Sequence, residues 1–433
     1  MDYTRFRQEL YENLTENILP YWIDKMVDPN GGFYGRRDGN DRLDVDAPKG
    51  AILNARILWS FSAAYRLTKN PDYLVYAKRA HDYLVDNFFD KDFGGVYWSL
   101  NPDGTPADTK KQFYAIAFAI YGLAEYYLAS GCEASLAEAL DLFDSIELHS
   151  RDRERNGYVE AATREWNPIA DMRLSEHDAN ASKTMNTHLH IVEGYMNLLR
   201  ALKEKYGVAA ASTPESVPAP VGRIGESREL LPTEVVARVG EATSNLLDIF
   251  FDKIENQSTY HLTLFFDDDW NPQVGAGSYG HDIEASWLLL ETAFVVGNRE
   301  LIEKTLTHTR RIAFAGLQGR CTDGSMVYER HPAGNYDNDK HWWVQAENVV
   351  GQLWLAQYHG GGDEQVERAW QSWRYIAENL VDTVNGEWHW SRKSADGSVN
   401  LTDDKAGFWK CPYHNSRMCI EAIHTLDALC PMR

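Results

Sequence analysis

Cysteine is scarce and patternless. Cys132, Cys321, Cys411, Cys419 and Cys430 are odd in number, scattered, and contain no Cys-x-x-Cys pair. That excludes a disulfide framework and fits reduced thiols of a cytosolic protein. No stretch approaches the roughly 18 uncharged apolar residues of a membrane span. The opening MDYTRFRQELYENLTENILPYW mixes charges with apolar residues and lacks the apolar core of a signal peptide, so a cytoplasmic location is expected. Positive charge is in deficit: 43 Lys and Arg stand against 64 Asp and Glu, a formal net charge of -21. Such a chain repels phosphate backbones and anionic bilayers, so nucleic acid and membrane are poor partners and a neutral substrate is the natural one. Also missing are a Walker loop, a GxGxxG turn after a strand, a GxSxG elbow, an HExxH helix and an EF-hand loop. Phosphoryl transfer, nicotinamide chemistry and zinc hydrolysis lose their usual support.

What is present is a repeat. The length of 433 residues alone would imply two or three domains. A glycine-plus-aromatic segment recurs instead, at Gly31-Gly32-Phe33-Tyr34, Gly94-Gly95-Val96-Tyr97, Gly157-Tyr158-Val159, Gly324-Ser325-Met326-Val327-Tyr328 and Gly386-Glu387-Trp388, with a weaker copy at Tyr260-His261-Leu262. Turn signals follow, such as Asp38-Gly39, Asp103-Gly104 and Asn271-Pro272, so each copy reads as a short β-hairpin or long turn. Between the copies lie apolar stripes of helical period: 51–67, 73–87, 113–128, 134–148, 185–203, 233–251, 283–296, 301–315, 342–357 and 364–379. With the terminal segments this makes about twelve helices in six pairs. The expected fold is all-α, a closed (α/α)6 barrel with hairpins gathered at one end, in one domain spanning 1–433; an open α-solenoid is the alternative. Residues Gly207–Pro232, rich in Ala, Pro and Ser without periodicity, read as an inserted surface loop, and 171–183 as a second loop.

Chemistry-bearing residues cluster at the starts of these helices. His281, Glu284 and Trp287 share one helix face, which suits acid–base work on a sugar; a buried histidine with a capping Asp282 and a core tryptophan accounts for the segment equally well. His188 and His190 point to opposite sides of their helix, so one metal ion is not held by both, whereas Asn186 and His190 share a side. Trp343 and Glu347 are four apart, and Trp409 stands five residues before His414 around a helix-starting Pro412. Near Asn54, Arg56 is the lone basic residue of its stretch, either ion-paired or reaching a ligand. Collectively, His190, His281 and His414 fall in different repeats, each with aromatic or carboxylate company. Closing the ring brings them to one end, where tryptophans would stack on pyranose faces, histidines exchange protons and Arg56 hold an oxyanion.

The chain resembles the N-acylglucosamine 2-epimerase superfamily, and within it the cellobiose 2-epimerase branch. The resemblance rests on Ala47-Pro48-Lys49-Gly50-Ala51-Ile52-Leu53-Asn54-Ala55-Arg56, on Met185 to His190, Gly280 to Trp287, His341 to Glu347 and Phe408 to Asn415. It implies an (α/α)6 barrel and inversion of C2 of a reducing-end glucose unit through a cis-enediolate. His281 and His414 match the two proton-exchanging histidines, His190 a third that assists ring opening, and Arg56 the residue steadying the enediolate. Tyr114, Asn186, Glu284, Trp287, Trp342, Trp343, Glu347 and Trp409 match substrate-binding positions. A neutral mono- or disaccharide substrate and no metal or nucleotide cofactor are implied, and a monomer is expected. Mannose and N-acylmannosamine are substrates of other branches, so the sugar stays open. Two rival functions remain: a glycoside hydrolase using Glu284, Glu347 or Asp282 as its acid–base pair, and a carbohydrate-binding protein without catalysis.

Overall fold

The computed structural model describes residues 2–176, 178–207 and 231–430, so the expected insert lies almost wholly outside the described residues. The helices are α1 (Tyr3–Glu12), α2 (Leu19–Met26), α3 (Ala51–Thr68), α4 (Pro71–Tyr83), α5 (Phe113–Ser130), α6 (Glu133–His149), α7 (Met185–Tyr206), α8 (Pro232–Ile249), α9 (Tyr279–Val296), α10 (Arg299–Gly316), α11 (Trp342–Tyr358), α12 (Gly362–Asn379) and α13 (Tyr413–Leu429). A π-helical turn, Asn13–Ile18, makes one rod of α1 and α2. The described residues thus form twelve rods, the number the repeat implies.

The apolar patterns sort these rods into two rings. In α5, FYAIAFAIYGLAEYYLAS, every residue from Phe113 to Tyr126 is buried. A helix apolar all round belongs inside. By contrast α12 buries only a stripe, including Val366, Ala369, Trp373 and Ile376. The inner ring runs α3, α5, α7, α9, α11, α13 and back to α3, each packed on the next; α4, α6, α8, α10 and α12 each back the inner helix before them. The sixth outer helix comes from the other end of the chain, for α1 packs on α13. The fold is the closed (α/α)6 barrel.

Inner helices pass to outer ones through tight turns, with Lys69, Gly131 and Gly297 at φ 59°, 72° and 78° capping α3, α5 and α9. The long return connections therefore collect at the opposite end, where the inner helices begin. Their strands do more than form local hairpins. Lys49–Gly50 pairs with Ser99–Leu100, Lys111–Gln112 with Ala161–Ala162, Lys183–Thr184 with Phe265–Phe266, Gly277–Ser278 with Glu329–Arg330, and Lys340–His341 with Ser391–Arg392. Each strand that leads into an inner helix is thus tied to the following repeat, and a bridge from Arg37 to Ala406 completes the circle.

Three of these strands carry a buried lysine that reaches back to the turn before it: Lys49 to Asp28 at 2.5 Å, Lys111 to Asp90 at 2.8 Å and Lys183 to Asp152 at 2.7 Å. The recurring glycine opens that turn. Gly157 has φ +92°, and a Cβ there would lie 2.4 Å from the Trp270 ring, so both conformation and space demand glycine. In the weak fourth copy Tyr260 adopts φ 63° instead. Helix α9 begins at Tyr279, four residues before the apolar stripe, because Ser278 caps it by accepting from the His281 backbone N–H.

Candidate active site

The first two turns of the inner helices face one another at the hairpin end. There Arg56 lies on α3, Tyr114 on α5, Asn186 and His190 on α7, His281 and Glu284 on α9, Trp342, Trp343 and Glu347 on α11, and His414 on α13. Helix N-termini carry partial positive charge, so this convergence favours an anion at the centre.

Each of the three histidines has Nδ1 engaged. His190 Nδ1 lies 2.9 Å from Glu193, His414 Nδ1 2.8 Å from Glu347, and His281 Nδ1 2.8 Å from the Ser278 hydroxyl. A carboxylate only accepts, so it fixes the proton on Nδ1 and leaves Nε2 for chemistry. The rings are wedged by aromatics: Tyr114 meets His190 edge-on at 4.9 Å, and Trp343 contacts both His281, at 4.7 Å, and His414, at 5.7 Å. Burial drives the His281 imidazolium pKa down to about 4, with Glu284 opposing and His190 reinforcing the shift. Burial likewise holds His414 well below the usual histidine range, against Glu284 and with the help of Arg417 and Arg56.

Beneath them is a fully buried charge cluster. Arg417 donates to Glu193 at 2.5 Å, Glu284 at 2.6 Å and Glu347 at 2.7 Å, and also to the Tyr413 hydroxyl. Burial alone would raise the Glu193 carboxyl, but Arg417, His190 and Tyr413 hold it down at about 2. Glu284, Glu347 and His414 offer ligand atoms within 4.8 Å of one another, as a metal site would. The Arg417 guanidinium already bridges both carboxylates and supplies the positive charge such an ion would bring. One cation thus ties together the carboxylates that hold His190 and His414.

Arg56 answers the choice left by the sequence. It is buried and forms no ion pair among the described residues; it donates to the Tyr114 hydroxyl at 2.8 Å and to the Trp409 carbonyl at 3.4 Å, and lies over the Phe118 ring at 4.1 Å. Its Nε has no partner, nor do the buried Asn54 Oδ1, Asn186 Oδ1 and Trp342 Nε1. These four atoms lie near the starts of α3, α7 and α11 and are free to bond a polar ligand.

Trp343 lies between His281 and His414, and Trp409 is grouped with Tyr114 at 6.1 Å and Trp98 at 6.0 Å. Trp342 packs on Trp390 at 4.5 Å. Trp287 is placed lower: it is 1% exposed, donates to Glu347 at 3.0 Å and lies under the Arg417 guanidinium. It supports the carboxylate and offers no open ring face. Asp282 is turned away as well, accepting from the Leu262 N–H at 2.8 Å and pairing with His261. His188 points outward as its spacing requires, bonded to the Thr184 carbonyl at 2.6 Å and the Tyr158 N–H at 3.0 Å. The sequence reading missed Glu193, Ser278, Tyr413 and Arg417. A signal existed, because Glu193 lies three residues after His190, Ser278 three before His281, and Arg417 three after His414, on the same helix faces.

Three histidines, an Arg56 without an ion pair among the described residues and several tryptophans thus gather where the inner helices of a closed ring begin, an arrangement suited to a carbohydrate isomerase. The chain belongs to the N-acylglucosamine 2-epimerase family, whose model matches residues 32–203 and 238–417. A cellobiose 2-epimerase from Bacteroides fragilis is 51% identical over 96% of this chain and 98% of its own length. Among solved structures, cellobiose 2-epimerase from Spirochaeta thermophila is 37% identical with a TM-score of 0.85, covering 98% of each chain. The Bacillus thermoamylovorans cellobiose 2-epimerase is 34% identical, again with a TM-score of 0.85, covering 97% of this chain and 99% of that one.

Proposed function

We propose that this sugar 2-epimerase inverts C2 of the reducing-end glucose of cellobiose, giving glucosyl-mannose, and that His281 and His414 are its two proton-transfer groups. The observation that carries the reading is the set of histidines, each held at Nδ1 with Nε2 left over, beside an Arg56 that no carboxylate neutralises. The 51% identity to a cellobiose 2-epimerase supports the disaccharide.

The chemistry follows. His190 assists opening of the ring to the aldehyde. One histidine Nε2 takes the C2 proton; the C–H electrons form the C1–C2 double bond, and the carbonyl electrons move onto O1. Arg56 and the converging helix N-termini stabilise that enediolate. Rotation about C2–C3 presents the other face; the second histidine, protonated at Nε2 for this step, gives that proton to C2, O1 reforms the carbonyl, and exchange with solvent removes the proton from the first ring and restores it to the second. Inversion needs donors on opposite faces, hence two histidines. Tyr114, Asn186, Trp342, Trp343 and Trp409 hold the sugar, and Glu284 and Glu347 hold Arg417 and His414 in place. A neutral saccharide, a monomer and a cytoplasmic setting belong to the same proposal.

A hydrolase is disfavoured by the carboxylates. Glycoside hydrolysis needs two independent groups about 5–9.5 Å apart, one of them protonated. Glu284 and Glu347 share one guanidinium within the 4.8 Å cluster, and Asp282 is committed to a hairpin. The test is proton NMR in D₂O with cellobiose and, separately, mannose. Deuterium at C2 with a manno product from cellobiose is expected, abolished in His281→Ala and His414→Ala. Full activity of either variant sinks the assignment, and faster turnover of mannose would replace the disaccharide by a monosaccharide.

A further inference from the structure

The three histidines differ in what holds them. His190 and His414 rest on carboxylates, whereas His281 rests on a neutral hydroxyl. Ser278 is the N-cap of α9, 2% exposed, and its backbone is paired to Glu329 of the following repeat. Its position is therefore set twice, by the strand and by the cap. Other inner helices are built differently at this point. Gly50, Gln112, His341 and Pro412 precede α3, α5, α11 and α13 without a capping side chain, and Thr184 caps α7 by accepting from the Thr187 N–H at 3.1 Å while its hydroxyl donates to Glu160 at 2.8 Å. Only at α9 does the capping side chain meet a histidine of the site.

Resting on the epimerase reading above, we propose that Ser278 is a positioning residue for His281: its hydroxyl holds Nδ1, leaves Nε2 to the sugar, and keeps this histidine a weaker base than a carboxylate would. A hydroxyl both donates and accepts. It therefore bonds Nδ1 whether or not Nδ1 carries the proton, while Glu347 accepts only and commits His414 to one tautomer. The charged or titratable groups around His281 are Glu284 on its own helix and His190 from α7, with the Trp343 ring of α11 against its face. Glu329 from the neighbouring strand interacts through its carboxyl with Tyr328 and His331, so it does not take the place of Ser278. The low basicity already imposed on His281 by burial is consistent with an uncharged partner.

Substitution separates capping from positioning. Asp caps a helix as well as Ser does, so Ser278→Asp keeps the cap and exchanges the neutral partner for a carboxylate. The acid limb of kcat/KM for cellobiose epimerisation then moves upward by about one pH unit. Ser278→Ala lowers kcat by about tenfold or more with KM little changed, and Ser278→Thr restores it. Thermal melts establish that each variant is folded. If Ser278→Asp does not fold, the Ala and Thr pair decides. Wild-type kcat in Ser278→Ala, or an unmoved pH profile in folded Ser278→Asp, overturns the proposal. An active His281→Ala would instead overturn the epimerase assignment, so the two failures are read separately.

Discussion

At the scale of single residues, the site is organised by what each histidine leans on. The Glu347 carboxylate fixes the His414 tautomer and shares Arg417 with Glu284. Glu347→Gln keeps the shape and an acceptor oxygen yet removes the charge, so both partners lose. We expect kcat to fall by about 10²-fold, the usual reach of one acid–base group, while KM changes less; steady-state kinetics at fixed pH check it. The pH dependence has a definite sign. Histidine ordinarily titrates near pH 6.5. Burial depresses His414 and His281, the two histidines proposed to move the proton, His281 to about 4. A base is lost as pH falls through its pKa, so the free enzyme should keep these bases below the ordinary histidine range, and the acid limb of kcat/KM should lie there too. An acid limb at or above 6.5 in a buffer-corrected rate profile would mean that these rings are solvated.

At the scale of elements, helices and hairpins are held by different forces, and they were unequally legible. The inner and outer stripes were plain in the sequence because burial imposes a 3.6-residue period. The start of α9 reads from the sequence as His281, two residues late, because the Ser278 cap that sets the first turn lies outside the apolar stripe. Arg417 and Glu193 were missed for a similar reason. Glu193 sits in an otherwise apolar run and Arg417 follows the polar His414-Asn415-Ser416, and their shared role exists only once ring closure brings α7 and α13 together. Asp282 shows the converse, a carboxylate beside a site histidine that anchors a hairpin instead. The lysine staples belong to this scale too. Lys49 and Asp28 are both buried at 2.5 Å. Lys49→Met strands a carboxylate in the interior and should cost about 3–5 kcal/mol by urea denaturation, whereas adding Asp28→Asn should recover most of it. His188 offers a matched contrast with His190 on the same helix. His188→Ala breaks the hydrogen bond from Tyr158 and should lower the melting temperature while folded protein still exchanges C2 deuterium; His190→Ala should do the reverse.

At the scale of the whole molecule, the ring closes by joining the two ends of the chain. The first rod serves as outer partner of the last helix, and the seam is polar as well as apolar. Phe6 meets Trp370 at 5.1 Å, Trp388 donates to Asn13 at 3.0 Å, and Trp22 donates to Glu387 at 2.7 Å. Glu387 is fully buried and also accepts from Lys410 at 2.7 Å and Asn415 at 2.6 Å, the latter beside His414. The N-terminal rod therefore touches the segment that carries His414, three hundred and more residues away in sequence. Trp22→Phe tests which of two things this contact does. It keeps an aromatic ring in the core but leaves one charged oxygen of Glu387 unpaired, which costs about 1–3 kcal/mol. Lys410 and Asn415 still hold the other oxygen, so the start of α13 should not move. The expected result is a lower urea midpoint with unchanged kcat at 25 °C. A loss of kcat in protein that remains folded would instead show that the seam positions His414, and that the first rod is part of the catalytic apparatus as well as of the wall.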